Sequence, residues 1–220
     1  MLIPSLRKEV WRMNRELPRE RLVAGTAGNV SGFDRKRGLV VIKPSGVWYE
    51  DLKIENLVIV DMEGRVVEGK LRPSVDTPHH LYIYKHIPGI NGVVHTHSPW
   101  ATVFAIAGLA IPPLSTAQAD VFGGPIPVSP YVDNREEHIG ETIVKIKRKG
   151  CPAVLLGRHG VFTFEKSPSE ALKAAVMVEY VAMTSLLARG LVGGKKIKPL
   201  SPKEIAKWYY RYHGHGYGQK

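Results

Sequence analysis

Apolar residues recur at steps of three and four along several segments of the chain, which is the spacing of one face of an α-helix. Near the N-terminus this face carries Leu2, Leu6, Val10, Met13 and Leu17. Further helices are predicted over residues 77–86, 99–107, 135–149, 167–189 and 202–211. Ser167 is placed to cap the longest of them. The apolar stripes of these helices need a shared core to cover them.

Short apolar or alternating runs bounded by turn residues predict β-strands between the helices. Four of them form two hairpins, at residues 29–33 with 39–42 and at residues 57–62 with 65–67. Three more strands are short and apolar, at residues 92–95, 153–156 and 161–164. The pattern predicts a single-domain α/β fold, in which a mixed, largely antiparallel β-sheet is flanked by helices on both faces.

The length of 220 residues suits one domain, because a single core grows to roughly 250 residues before chains tend to divide. The hydrophobic share of 44% describes an ordinary globular protein. Residues 190–199 are predicted to be a linker. Residues 200–220 are predicted to form a final helix and a glycine-rich tail.

The formal net charge of +11 raises the question of a nucleic-acid partner. The basic clusters at residues 35–37, 145–149 and 195–196 fall at a predicted turn, a helix end and the linker, without the interleaved aromatic residues of a stacking platform. The charge therefore favours an anionic small molecule and no nucleic acid.

Because no apolar run reaches bilayer length and the N-terminal segment is charged, we expect no membrane partner and a cytoplasmic location. The single Cys151 cannot form an intrachain disulfide.

The tripeptide His95-Thr96-His97 is the sharpest local feature, because a period of two places both imidazoles on one face of an extended chain. Taken alone, such a pair also suits a core or surface position. His159 lies in a predicted turn beside Gly160, and the alternative to metal binding is that it is a histidine hydrogen-bonded within the turn. Asp76 precedes a predicted helix, so the alternative to metal binding is that its side chain caps the N-terminus of that helix. Three imidazoles and one carboxylate suit zinc or another divalent ion of similar softness.

Two glycine-containing segments look suited to an anion. Residues 25–31 and 43–46 offer backbone N–H groups, hydroxyls and the ammonium of Lys43. Neither segment has the spacing of a nucleotide P-loop or of a dinucleotide fingerprint, which argues against a nucleotide cofactor.

Seven motifs follow one another in order along almost the whole chain: Asn29-Val30-Ser31, residues 42–47, residues 73–78, residues 94–98, Ala119-Asp120, Arg158-His159-Gly160 and Tyr217-Gly218-Gln219. Together they resemble the L-ribulose-5-phosphate 4-epimerases, within the class II aldolase and epimerase superfamily. Asp76 resembles the aspartate of the epimerase branch, since the fuculose-phosphate aldolases usually have glutamate at this position. Through the last of the motifs, the resemblance also implies that residues 200–220 contribute to the active site.

This resemblance implies roles for individual residues. It makes zinc, or another divalent metal such as Mn²⁺ or Co²⁺, the cofactor, and its ligands are Asp76, His95, His97 and His159. It also implies a phosphate cradle formed by Asn29, Lys43, Ser45, Gly46 and Ser74. Asp120 and Tyr217 match the proton-transferring pair. The implied assembly is a cyclic homotetramer with each active site between neighbouring subunits.

Several positions depart from the family pattern. Val75 stands where a second serine is usual, which removes one hydroxyl from the cradle. Gln118 stands where epimerases often have histidine, and Trp208 lies near the place of a histidine that supports the catalytic aspartate. The tail before Gln219 is about two residues shorter than in the resembled family, which bears on the placement of Tyr217.

The resemblance implies metal-dependent epimerisation of a ketopentose phosphate at C4, from L-ribulose 5-phosphate to D-xylulose 5-phosphate. The C3–C4 bond breaks in a retro-aldol step and re-forms on the other face of the aldehyde. A class II phosphosugar aldolase, such as L-fuculose-1-phosphate aldolase, is the alternative. A non-enzymatic metal- or nucleic-acid-binding protein is the remote one. Asn and Gln number seven in all, which suits a heat-adapted source.

Overall fold

A seven-stranded β-sheet forms the centre of the computed structural model, which describes residues 1–214. Neighbouring strands lie in the order β4-β3-β2-β1-β5-β7-β6, and every neighbouring pair runs antiparallel. The predicted sheet is therefore confirmed. The strands are β1 (Asn29–Asp34), β2 (Leu39–Ile42), β3 (Val58–Asp61), β4 (Val66–Glu68), β5 (Gly92–Thr96), β6 (Ala153–Leu156) and β7 (Gly160–Glu165).

Helices cover both faces of this sheet, as the sequence predicts. One prediction was incomplete, because α4 was missed: its seven residues are too few to show a helical period. Ser115 begins α4 by accepting a hydrogen bond from the Gln118 backbone N–H at 3.3 Å. The helices are α1 (Pro4–Arg19), α2 (Thr77–His86), α3 (Pro99–Ala107), α4 (Thr116–Phe122), α5 (His138–Ile146), α6 (Pro168–Leu191) and α7 (Pro202–His213).

The alternation of β5 shows how the sheet divides the core. Val93 points into the apolar cluster that α2 and α5 form on one face, together with Phe162 of β7. Val94 points to the opposite face, into a cluster with residues of α1 and α6. His95 therefore returns to the face of Val93, where its ring stacks on Phe162 at a centroid distance of 4.4 Å.

Helix α6 corrects one expectation from the sequence. It is 24 residues long and, by length and composition, apolar enough to cross a membrane, whereas the sequence analysis found no run of that length. Its buried residues include Val178 and Val181, which pack with α3, α4 and β6 in one core cluster. Its N-terminal half buries Ala171 and Leu172 against α1 and the sheet. These contacts are those of a core helix.

The N-terminal helix fixes the start of β1. The Asn14 side chain is fully buried, and its amide donates to the Val30 carbonyl at 3.0 Å while its oxygen accepts from the Val30 N–H at 2.9 Å. These two bonds replace the ladder partners that the backbone of Val30 would otherwise need. Asn29, the neighbour of Val30, is thereby held directly opposite His95 in the β1–β5 register.

Candidate active site

Three imidazoles converge at one end of β5. His95 is near the end of the strand, His97 follows it, and His159 lies in the turn that leads into β7. One ring nitrogen from each lies within 4.8 Å of the other two. The turn can approach β5 because residue 160 is glycine, where an added Cβ would lie 2.3 Å from the Thr96 carbonyl oxygen. The predicted convergence of these three histidines is present in the structure.

The hydrogen bond of His95 sets the tautomer of its ring. Its Nδ1 lies 3.0 Å from the Val161 carbonyl oxygen, so Nδ1 carries the proton and donates it. The lone pair then remains on Nε2, which lies 3.0 Å from Nε2 of His97. Burial lowers the pKa of His95, His97 and His159, although the Asp76 carboxylate acts in the opposite direction. The rings are therefore held in the neutral form, which is the form that binds metal ions.

This donor set fits a divalent cation. Two imidazole nitrogens that share a tetrahedral zinc ion at 2.0–2.1 Å lie about 3.3 Å apart. The separation of 3.0 Å between the two Nε2 atoms is close to that value. A backbone carbonyl behind a ligating imidazole is also the usual way in which such a ring is oriented. The geometry and the protonation of the histidines therefore agree with metal binding.

Asp76 stands at the N-cap position of α2, but its side chain makes no capping hydrogen bond. Instead, its Oδ2 accepts from Asn29 Nδ2 at 2.7 Å and from the Ser74 hydroxyl at 3.3 Å. Burial raises the pKa of Asp76, but the nearby His95 and His80 and the Asn29 bond outweigh it, so the net pKa lies below the ordinary value. The group of possible metal-ligand atoms that lie within 4.8 Å of one another holds one nitrogen from each of the three histidines and no oxygen of Asp76. The capping alternative is wrong, and Asp76 is an ionised carboxylate beside the histidines.

Lys43 brings a buried ammonium to the same region. Its side chain is 1% exposed, directly after β2, and its Nζ has only long contacts, 3.3 Å to the Thr26 carbonyl and 3.4 Å to the Pro44 carbonyl. Burial lowers the pKa of Lys43 to about 8, and the Asp76 carboxylate partly opposes this. A cation with such weak partners has spare donor capacity for an anion.

The residues predicted to bind phosphate lie on three segments that are joined by hydrogen bonds. The Ser74 N–H donates to the Lys43 carbonyl, and the Ser45 N–H donates to the Arg72 carbonyl, both at 3.0 Å. Asn29 Nδ2 also donates to the Ser74 hydroxyl at 2.9 Å. Ser45 and Gly46 are exposed, whereas Asn29, Lys43 and Ser74 are buried. These bonds hold the three segments side by side, and we use the name anion cradle for the five residues predicted to bind phosphate, Asn29, Lys43, Ser45, Gly46 and Ser74.

His80 was missed by the sequence analysis. It lies one helical turn after Asp76, and this spacing of four residues is the sequence signal that could have identified it. Its ring is fully buried, with Nδ1 2.7 Å from the Ser31 hydroxyl, which is 2.7 Å from the Tyr84 hydroxyl. Burial lowers the pKa of His80, so the ring is neutral. Its edge meets Phe162, the residue on which His95 stacks.

Asp120 lies on α4 and contacts α7 rather than the three histidines. Its Oδ2 is 3.5 Å from Nη2 of Arg211, and its Oδ1 is buried without a hydrogen-bond partner within residues 1–214. The guanidinium of Arg211 in turn lies 4.5 Å from the ring centre of Trp208. Arg211, not the residue at position 208, is thus the side chain that supports Asp120. Tyr217, the other predicted acid/base residue, lies outside the described residues.

Two of the positions that depart from the family pattern, Gln118 and Val75, differ in burial. Gln118 is buried, and its amide donates to the Ile111 carbonyl at 2.9 Å and to the Gly124 carbonyl at 3.2 Å, so it holds the loops around α4 together. Val75 is 66% exposed, between the buried Ser74 and Asp76. Its side chain therefore leaves the cradle instead of filling the place of a hydroxyl.

Comparison with known sequences identifies relatives over the whole length. Residues 8–186 match the family model "Class II Aldolase and Adducin N-terminal domain". The chain is 44% identical to L-ribulose-5-phosphate 4-epimerase UlaF of Salmonella paratyphi A, over 98% of this chain and 99% of the relative. The protein of the same name from Salmonella typhi is equally similar, with the same identity and coverage.

Solved structures show the same architecture. An L-fuculose 1-phosphate aldolase superposes with a TM-score of 0.85 at 28% identity, covering 94% of this chain and 96% of that one. YgbL of Klebsiella pneumoniae, described as a putative aldolase/epimerase/decarboxylase, superposes with a TM-score of 0.81 at 25% identity, covering 94% and 99%. The likeness includes nearly every element of the sheet and its helices.

Proposed function

The chain belongs to the class II aldolase and adducin family, and we propose that it is a metal-dependent epimerase that interconverts L-ribulose 5-phosphate and D-xylulose 5-phosphate. The observation that carries this proposal is the convergence of His95, His97 and His159, together with the Asp76 carboxylate, which interacts both with His95 and with the buried ammonium of Lys43. A small phosphorylated α-hydroxyketone needs both the histidines and the ammonium, the former for its carbonyl end and the latter for its phosphate. The curated relatives described above carry the name L-ribulose-5-phosphate 4-epimerase, and the match covers 99% of their length.

The metal ligands in this proposal are the three histidines and Asp76. Zinc suits three imidazoles and a carboxylate, and Mn²⁺ or Co²⁺ can take the same ligands. A divalent cation held there supplies Lewis-acid stabilisation for the negative charge that develops when the C3–C4 bond of an α-hydroxyketone breaks. Asn29 and Ser74 keep the Asp76 carboxylate oriented by their hydrogen bonds to its Oδ2.

The anion cradle takes the substrate phosphate. Lys43 provides the positive charge, and its long contacts to carbonyl oxygens leave it able to donate to a phosphate oxygen. Ser45, Gly46, Ser74 and Asn29 add hydroxyl, backbone and amide donors around it. Binding at the phosphate end is remote from the reacting carbons, so its role is to hold C3 and C4 in position.

Epimerisation needs one acid/base group for each face of the aldehyde that forms, and Asp120 and Tyr217 are assigned these roles. Asp120 lies on α4, packed against α7, and contacts Arg211 rather than the histidines of its own chain. This separation supports an active site that is shared between neighbouring subunits of a homotetramer. We place the enzyme in the cytoplasm, as suits a soluble sugar-phosphate enzyme.

An aldolase is the second candidate function, favoured by the structural similarity to an L-fuculose 1-phosphate aldolase. The same metal and cradle would break the same type of bond, but the aldehyde fragment would leave. The test is to incubate the zinc-loaded protein with L-ribulose 5-phosphate and to quantify D-xylulose 5-phosphate and the cleavage fragments. Xylulose 5-phosphate without accumulating fragments supports the epimerase. Accumulating fragments support the aldolase, and the absence of both products refutes the proposal.

A further inference from the structure

Tyr49 contacts Lys43 of the anion cradle and also the loop of residues 26–28 that precedes β1. The side chain is 3% exposed and belongs to the core cluster between α1, α6 and the sheet. Its hydroxyl is 2.7 Å from the Ala27 carbonyl oxygen and 2.8 Å from that of Gly28. The centre of its ring is 4.8 Å from the ammonium nitrogen of Lys43. No motif in the sequence singled out this residue.

The contacts of Tyr49 determine the shape of the loop that precedes β1. The carbonyl oxygens of three consecutive residues point inwards: that of Thr26 to Lys43 Nζ, and those of Ala27 and Gly28 to the Tyr49 hydroxyl. Gly28 has a φ of 77°, and a Cβ there would lie 2.8 Å from the His95 carbonyl oxygen. The loop is therefore pressed between Tyr49 and the strand that carries the metal ligands. The bonds to the Tyr49 hydroxyl therefore fix the orientation of the Ala27 and Gly28 peptide groups beside Lys43.

The neutral phenol of Tyr49 and the charged ammonium of Lys43 agree with a positioning role for Tyr49. Burial raises the pKa of Tyr49 far above its ordinary value, and the charge of Asp76 adds to this effect. Tyr49 is thus a permanent hydrogen-bond donor and does not act as an acid or base. The face of its ring carries partial negative charge, which attracts the Lys43 ammonium in a place where water does not compete.

We propose that Tyr49 is a positioning residue of the anion cradle, whose hydroxyl fixes the loop at Ala27 and Gly28 and whose ring holds the Lys43 ammonium where the substrate phosphate binds. This inference rests on the proposed function, because it takes the cradle as the phosphate site. It adds a residue that does not itself touch the phosphate but decides where the phosphate's partners stand.

Two variants separate the two contacts. Tyr49→Phe keeps the ring and loses the hydroxyl, and Tyr49→Leu loses both. In the zinc-loaded protein, Tyr49→Phe should raise KM for L-ribulose 5-phosphate and Kd for inorganic phosphate by roughly tenfold, since the Ala27 and Gly28 carbonyls lose the one hydroxyl proton that they share. Both values should rise a further several-fold in Tyr49→Leu, roughly the effect of one desolvated cation–π contact. The kcat and the zinc content should stay within about twofold of wild type.

Tyr209→Phe is the matched control, because it also removes a hydroxyl that donates to a glycine carbonyl, that of Gly150 at 3.1 Å, on the distant helix α7. It should leave Kd for phosphate unchanged. Thermal melting checks that each variant folds, and if Tyr49→Leu does not, Tyr49→Phe alone decides. A folded Tyr49→Phe with wild-type KM and Kd overturns the inference, and so does a loss confined to kcat.

Lys43→Met separates a failure of this inference from a failure of the proposed function. If Lys43→Met raises KM and Kd for phosphate while Tyr49→Phe does not, the cradle binds phosphate and only the role of Tyr49 is wrong. If neither variant changes them, the phosphate binds elsewhere and the proposed site falls together with the inference. Isothermal titration of inorganic phosphate into the zinc-loaded variants gives this answer without turnover.

Discussion

The loss of the Lys43 proton should limit the activity of the enzyme at alkaline pH. Burial lowers the pKa of this lysine from 10.5 to about 8, so the ammonium loses its proton within the range where most enzymes can still be assayed. Only the charged form offers a phosphate a charge-assisted hydrogen bond. A group with a lowered folded-state pKa is charged below that pKa and neutral above it. Phosphate binding should therefore be intact at pH 7 and be lost as the pH rises through about 8.

The size of this effect follows from the same value. With a pKa of about 8 in the free enzyme, roughly nine tenths of Lys43 is charged at pH 7 and roughly one tenth at pH 9. The ratio kcat/KM for the phosphorylated substrate, which reports on the free enzyme, should fall about tenfold over that interval. Complete removal of the charge by Lys43→Met should cost about 2 kcal/mol, which is roughly a thirtyfold rise in KM. Because the contact is remote from the reacting carbons, kcat should change little.

The assay is a pH profile of kcat and kcat/KM for three proteins: wild type, Lys43→Met and Lys43→Arg. Lys43→Met should have a low kcat/KM without the alkaline decline near pH 8. Lys43→Arg keeps its charge at every pH, so any activity that it retains should also lack that decline. If Lys43→Met shows the same decline as wild type, another group is responsible for it. If its KM is unchanged at pH 7, Lys43 does not bind the phosphate.

Other predictions concern the metal, the tail and stability. His95→Ala or His97→Ala should abolish turnover and lower the zinc content measured by atomic absorption, because a site of few ligands loses most of its affinity with one of them; full occupancy in both variants would contradict the assignment. Tyr217→Phe should suppress epimerisation far more than metal binding, with slow cleavage or exchange surviving, and product analysis that shows wild-type epimerisation would make the tail a spectator. The melting temperature of the zinc-loaded protein should exceed roughly 65 °C, as a scarcity of Asn and Gln suits a heat-adapted source, and a transition in the mesophile range would argue against this.

The features that the sequence predicted are those with a local cause. The alternation of an extended chain places His95, in β5, and His97, just after it, on the same face whatever the rest of the chain does, and the convergence with His159 is present in the structure. Asp76 was open to two interpretations, since a carboxylate before a helix is an ordinary cap. Its hydrogen bonds to Asn29, 47 residues away in the chain, and to Ser74 show that the side chain does not cap the helix, while its role as a metal ligand stays a prediction.

The features that the sequence did not predict depend on tertiary contacts alone. Tyr49 acquires its role from carbonyl groups 21 and 22 residues earlier, and neither the tyrosine nor the loop carries a pattern that pairs them. The short helix α4 depends on its Ser115 cap and on packing against α7, because seven residues gain too few internal hydrogen bonds to be stable alone. Arg211 contacts Asp120 from 91 positions along the chain, at a distance that no periodicity encodes.

One side chain of the anion cradle is hydrogen-bonded to a proposed metal ligand, so the two proposed sites should not behave independently. Asn29 lies opposite His95 in the sheet, and its amide nitrogen bonds both the Ser74 hydroxyl of the cradle and Oδ2 of Asp76. A phosphate that draws on Asn29 or Ser74 must change the hydrogen bonds that orient the Asp76 carboxylate. By thermodynamic reciprocity, a cation that reorients Asp76 then changes the affinity for phosphate by the same factor as phosphate changes the affinity for the cation. The pairing of β1 with β5 thus joins the two halves of the substrate site through one amide.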